Sequence, residues 1–168
     1  TNSGENNHMV TVNIICVGSL KEQYWRDACT EYEKRLRPFC RFAVNQVDEQ
    51  RIPQNPSQAQ IDACISEEGK RLLARVPRGA YTIAMCIEGR ELSSPLLAQK
   101  LEHAAVGGGS SVAFFIGGSW GLSEEVKRQA DFRLSMSPMT FPHQLARVML
   151  CEQIYRAFQI SSGGKYHK

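Results

Sequence analysis

Strand-like hydrophobic runs and helical stripes take turns along this chain. Residues 10–17 (VTVNIICV) form a β-branched run ended by Gly18. The stretch that follows, to about residue 37, sets Tyr24, Ala28, Tyr32 and Leu36 at four-residue spacing on one helical face, and Pro38 ends it. Residues 41–47 alternate as a second strand. A polar loop with Pro53 and Pro56 leads to Ser57, which is placed to cap a helix reaching about residue 76. Residues 81–87 (YTIAMCI) predict a third strand, apolar enough to be covered on both faces. Ser94 and Pro95 offer an N-cap and a first-turn proline for a helix to about residue 106, and the glycines at 107–109 form a turn into a fourth strand at 111–116. A short helix begins at Ser123, with Glu124 and Glu125 at its positive end and Lys127 and Arg128 further along. Residues 132–135 predict a fifth strand. A final helix over 142–160 carries Leu145, Val148, Cys151, Tyr155 and Phe158 on a broad apolar face, with Gln144, Arg147, Glu152, Gln153 and Arg156 elsewhere. Such alternation predicts an α/β fold, a mostly parallel sheet with helices on both faces.

With 168 residues, 42% hydrophobic and 22% charged, the chain suits one domain, read here as residues 9–168. The opening residues 1–8 are polar, and are expected to be a cloning remnant ahead of a native start at Met9. A net charge of +3 permits an anionic partner without demanding one. The six cysteines lie mostly in apolar strand and helix positions, with no CxxC pair and no histidine at ligand spacing. They predict buried free thiols in a reducing cytoplasm rather than a disulfide or metal framework. No secretory or membrane-spanning segment is visible.

Two loops carry the candidate chemistry, on what should be the same edge of the sheet, where ligands of open α/β sheets bind. The first, Gly117-Gly118-Ser119-Trp120-Gly121, follows a strand and would let the backbone approach a ligand closely. It matches neither the dinucleotide GxGxxG nor the phosphate-cradling GxxxxGK[ST], and a plain strand-to-helix turn would use the same glycines. The second, Ser135 through Met136, Ser137, Pro138, Met139, Thr140 and Phe141 to Pro142-His143, is unusually apolar for a loop. Its methionines and phenylalanine need burial, against core or against a flat ligand such as a purine, for which Met85 would form a third wall. The tail, Gly163-Gly164-Lys165-Tyr166-His167-Lys168, joins a hinge, an aromatic ring, an imidazole and two cations. Termini are commonly frayed, but these groups also suit RNA stacking and phosphate contact. Arg147, Arg156, Lys165 and Lys168 are candidate phosphate contacts, each with a solvated charged face as the alternative. His143 reads as a structural hydrogen-bonder and His103 as surface.

Taken together, IAMCIEGRELSS, FFIGGSWGLSEEV, LSMSPMTFPHQLARVMLCEQIYRAFQI and the terminal YHK resemble the RlmH family, SPOUT-class methyltransferases of large-subunit ribosomal RNA; the likeness runs from Met9 to Lys168. The resemblance implies a homodimer with a C-terminal trefoil knot, and S-adenosylmethionine as donor of a methyl group to N3 of a pseudouridine in 23S rRNA. A small dimer with no appended RNA-binding domain points further to the assembled ribosomal surface, rather than a short RNA sequence, as the expected substrate. The resemblance places the cofactor on Met85, Gly117, Met136, Ser137, Pro138, Met139, Thr140 and Phe141. It sets Tyr166 and His167 beside the methyl donor, completed by the partner subunit. A sulfonium methyl is already electrophilic, so no metal is expected, and positioning supplies much of the rate. His167 is the candidate proton acceptor, with Tyr166 orienting or stacking the base. Two other readings stay open, a non-catalytic nucleoside- or RNA-binding module and a SPOUT enzyme acting on another base.

Overall fold

In the computed structural model, which describes residues 9–106 and 110–168, strands and helices alternate without exception. They are β1 (Thr11–Val17), α1 (Gln23–Leu36), β2 (Arg41–Val47), α2 (Gln58–Leu73), β3 (Tyr81–Glu91), α3 (Ser94–Val106), β4 (Ser111–Ile116), α4 (Glu124–Gln129), β5 (Phe132–Ser135) and α5 (His143–Ser161). The leader expected at 1–8 and the turn expected at 107–109 lie outside the described residues.

The strands form one five-stranded sheet in the order β2-β1-β4-β3-β5, with every pairing parallel. Because strand side chains alternate between faces, the register sorts the core into two layers. Ile14, Phe114 and Ile83 stand in one row and face α1, α3 and α5. Their neighbours Ile15, Phe115 and Ala84 face α2 and α4 on the other side. This explains why β1 and β4 read as unbroken apolar runs: both faces are covered.

Local signals hold at several ends. The Ser57 hydroxyl accepts from the Gln60 N–H while the Gln60 side chain accepts from the Ser57 N–H, a complete capping box for α2. At α3 the cap lies one residue earlier than expected. Ser93 is the cap, its hydroxyl accepting from the Leu96 N–H at 3.3 Å, and Ser94 is the first helical residue. The displaced Ser94 hydroxyl donates to Gln153 Oε1 of α5 at 2.7 Å, stitching the two helices together.

Two differences bear on function. β3 runs to Glu91, past the expected end at residue 87, but its pairing with β5 breaks: Met85 and Arg90 both stand opposite Leu134, leaving 86–89 out of the ladder. Gly89 makes this possible, since a Cβ there would sit 2.8 Å from main-chain carbons of Arg133 and Leu134. The second difference is Arg147. Expected outside the apolar face of the last helix and among the phosphate-binding cations, it is only 2% exposed. It falls on the stripe Arg147, Leu150, Cys151, Ile154, Ala157 that faces the sheet, and its Nη2 donates to the Gly18 carbonyl at 2.9 Å. A guanidinium so enclosed has no phosphate-facing surface.

Candidate active site

A cleft of about 350 Å³ opens at the carboxyl ends of β3, β4 and β5. Its first wall is the glycine loop. β4 ends at Ile116, and Gly118 and Gly121 then form an isolated antiparallel bridge that folds the loop onto itself, with the Gly121 N–H donating to the Gly118 carbonyl at 3.1 Å. Gly117 is required by that fold, because a Cβ would lie 2.6 Å from the Gly121 carbonyl oxygen and 2.8 Å from the Leu122 nitrogen. The glycines therefore serve the turn and also bring the backbone to the cleft.

The second wall is the apolar loop after β5. Met136, Ser137, Met139, Thr140 and Phe141 line the cleft, joined by Met85 from β3 and Gly117, whereas Pro138 does not line it. The loop is held internally: Ser135 Oγ donates to the Ser137 carbonyl at 3.1 Å, and Ser137 Oγ accepts from the Met139 N–H at 3.0 Å. Among the described residues, its main chain from 137 to 141 makes no hydrogen bond to other backbone. Apart from the Ser137 carbonyl and the Met139 N–H, which the two serine hydroxyls engage, these peptide groups are available to the edge of a bound base. Three of the large apolar side chains on this lining stay exposed, Ile87 at 51%, Trp120 at 44% and Met139 at 73%.

Several further residues on the lining were not expected at a ligand site. Cys86, Ile87 and Glu88 come from the unpaired stretch of β3, Lys127, read only as a helix charge, from α4, and His143, read as a structural hydrogen-bonder, from the start of α5. The Lys127 Nζ donates to Glu88 Oε1 at 2.5 Å and lies 3.0 Å from Glu124 Oε1. That bond holds the Glu88 carboxyl below its ordinary range; burial works against the Lys127 charge, but its two carboxylate partners outweigh it and raise the ammonium. All six cysteines are free and five are buried, Cys86 being the half-buried exception. Burial, reinforced by Glu88, pushes the Cys86 thiol up, which keeps it un-ionised. Among the described residues, no group of three or more His, Cys, Asp and Glu is placed to hold a metal ion. Nor is any helix there long and apolar enough to cross a membrane.

His143 is half-buried in the cleft, and burial together with the nearby Arg147 guanidinium lowers it from the ordinary imidazole value of 6.5. The folded chain thus binds this proton less readily than the unfolded chain. Its contribution to stability is complete above pH 6.5 and is lost as the pH falls through the folded value. Urea denaturation at about pH 7.5 and about pH 5.5 should therefore show a larger loss of midpoint for the native chain than for His143→Asn.

Within one chain the tail does not enter the cleft. It folds back on α5 instead: Tyr166 packs edge-on against Tyr155 with ring centroids 4.8 Å apart, and its hydroxyl donates to Glu152 Oε1 at 3.2 Å. Burial and the Glu152 charge push the Tyr166 phenol up to about 12, so it stays a donor at neutral pH. Arg156 grips Glu152 through Nε and Nη2, stacks over the Tyr166 ring at 4.8 Å and approaches His167 Nδ1 at 3.1 Å through Nη1. Since a guanidinium only donates, Nδ1 is the acceptor in that contact. Of the expected phosphate contacts, Arg156 is committed to Glu152, while Lys165 and Lys168 are exposed.

Comparison with known proteins places this architecture. A family model described as a predicted SPOUT methyltransferase matches residues 10–167. The ribosomal RNA large subunit methyltransferase H of Clostridioides difficile is 43% identical over 159 residues, 95% of this chain and 100% of that protein. The protein of the same name from Streptococcus thermophilus is 46% identical over 157 residues, 94% and 99% of the two chains. Among solved structures, a probable methylase family protein from Haemophilus influenzae superposes with a TM-score of 0.51 at 12% identity, covering 94% of this chain and 70% of that one. A tRNA (m1G37) methyltransferase from Aquifex aeolicus also gives 0.51, at 11% identity and 87% and 69% coverage. These two share the fold. Full-length agreement with the family model and identity above 40% to the RlmH proteins leave one assignment: this chain belongs to the SPOUT methyltransferase family, among its RlmH members.

Proposed function

We propose that the chain transfers a methyl group from S-adenosylmethionine to N3 of a pseudouridine in 23S rRNA, acting in the cytoplasm on assembled ribosomes. The observation that carries this reading is the cleft between the glycine loop and the 136–141 loop, in a chain matched end to end by ribosomal RNA large subunit methyltransferase H proteins. Its chemistry suits an adenosine-bearing donor. Met85, Met136 and Phe141 offer thioether and aromatic walls to a flat base, and the loop's main chain offers donors and acceptors to its edge. Bound there, the donor supplies a sulfonium methyl that is already electrophilic.

The protein's own work is then positioning and proton transfer. The loops hold the donor in line with the target nitrogen and keep water out. Tyr166, a phenol at neutral pH, stacks on or hydrogen-bonds the base, and His167 takes the N3 proton. For that, the tail has to leave Arg156, which engages Nδ1 in the isolated chain; Gly163, with φ of +73°, and Gly164 are the natural pivot. Two observations favour a homodimer in which the tail of one subunit completes the cleft of the other. The tail lies off its own cleft, and Ile87, Trp120 and Met139 leave the cleft's apolar surroundings uncovered. The half-buried face of α5 bearing Leu145, Val148 and Tyr155 offers the contact surface, Lys165 and Lys168 reach toward phosphate, and the crossing of the two cleft loops belongs to the trefoil knot of this reading.

The test is transfer of labelled methyl from S-adenosylmethionine to ribosomes lacking the modification, followed by digestion and mass spectrometry. Label on a large-subunit pseudouridine, with little on naked RNA, is the expected result. Label on another base would move the chain to a different SPOUT specificity.

A further inference from the structure

The Glu88–Lys127 pair is hard to account for as a stabilising device. Ion pairs open to solvent contribute little to folding. Yet here an ammonium only 12% exposed is built into a largely apolar cleft, next to a carboxylate left 46% exposed. Glu88 comes from the stretch of β3 that drops out of the ladder with β5, and Lys127 from the last turn of α4, so a departure from regular pairing brings Glu88 to a cation on a separate element. Arg133 fixes the arrangement from behind, its Nε donating to the Lys127 carbonyl at 3.2 Å.

The donor and acceptor inventory shows what remains. An ammonium has three protons, and the Lys127 contacts with Glu88 and Glu124 occupy two of them. A carboxylate has about four lone-pair positions, of which the Lys127 bond uses one. At the cleft, then, one cationic donor and one anionic acceptor stand side by side with capacity to spare. A neutral nucleoside has no need of both signs. A zwitterionic α-amino acid matches them, its ammonium facing Glu88 and its carboxylate facing Lys127.

We propose that Glu88 and Lys127 form the subsite that binds the α-amino-acid end of S-adenosylmethionine, while the apolar loops hold the nucleoside end. The assignment rests on the cofactor reading above. It makes the pair a selector for the intact cofactor over adenosine-containing fragments that lack the amino acid.

Calorimetric titration with S-adenosylhomocysteine and with 5′-methylthioadenosine, which carries no amino-acid end, separates the possibilities. The native chain should bind S-adenosylhomocysteine more tightly. Glu88→Gln and Lys127→Met should each weaken that binding by about tenfold to a hundredfold, the scale of a lost charged hydrogen bond. Binding of 5′-methylthioadenosine should stay within about twofold of the native value, which also shows that the variants keep their cleft. Equal weakening of both ligands would overturn the proposal, because the pair would then serve the ribose or the shape of the cleft. Unchanged binding of S-adenosylhomocysteine would overturn it as well. Failure of the native chain to bind either ligand would remove the cofactor reading and this subsite with it.

Discussion

Removal of residues 166–168 is expected to lower methyl transfer by about 10²–10⁴-fold, the usual contribution of a positioned acid–base group, with S-adenosylhomocysteine affinity held within about twofold. The separation of the two readouts follows from the geometry. The cleft walls proposed to hold the cofactor come from Met85, Gly117 and the 136–141 loop and none from 165–168, so cofactor binding is expected to survive the truncation, whereas proton removal by a tail that completes the partner's cleft is not. Single variants divide the loss. Tyr166→Phe keeps the ring that meets Tyr155 and Arg156 and gives up only the hydroxyl on Glu152, and should cost little beside His167→Ala. Added imidazole should restore part of the His167→Ala rate. Undiminished turnover after truncation would eliminate the tail's role.

Gly117→Ala should be nearly as damaging, through displacement of a cleft wall that affects both cofactor binding and transfer. The added methyl meets main chain at Gly121 and Leu122, which cannot swing aside as a side chain can, so the bridge between Gly118 and Gly121 must open. Overpacking of this kind costs about 1–3 kcal/mol. A wall displaced by about 1 Å is enough for a loss on the order of 100-fold in the transfer rate. Gly118→Ala is the informative control. Its Cβ would meet the Val17 and Glu68 side chains at 3.1 and 3.3 Å, contacts that relax more readily. Urea midpoints and calorimetric titrations of the two variants should therefore differ clearly, with Gly117→Ala the weaker in both.

The parts of this protein written in local pattern were legible in its sequence. The covered strands announced themselves as apolar runs, the Ser57 capping box as a spacing, and the two cleft loops as glycines after a strand and methionines between prolines. What escaped depends on partners distant in the chain. Nothing in the identity of Arg147 reveals that Gly18, in the turn after β1, offers it a carbonyl. Charge argued for solvent, and the helix phase set by Leu150, Cys151 and Ile154 overrode it. Glu88 carried no reading and Lys127 only that of a helix cation, because the bulge that joins them depends on how β3 meets β5. The α3 cap was misplaced by one residue because Ser93 and Ser94 are both competent, and only the Gln153 partner decides which one is spared for α5. The resting place of the tail on Glu152 and Arg156 was likewise out of reach, since it is a pairing across helix and terminus rather than a pattern.

The order of strands also shapes how the protein must be made. Thr11 of β1 can pair with Arg41 as soon as β2 has emerged, but its other neighbour, Ser111, belongs to β4 and leaves the ribosome much later. An all-parallel sheet has no hairpins to pair on the way, so each ladder waits for a crossover, and such long-range pairing folds slowly. Throughout that interval the nascent chain carries one of its most apolar strands with a bare edge, a template for pairing with another chain. The hazard ends only when β4 docks and α5, which follows it in the chain, closes over Ile14 and Phe114. Aggregation during expression, more than instability of the finished fold, is where mutations in β4 and α5 should first be felt.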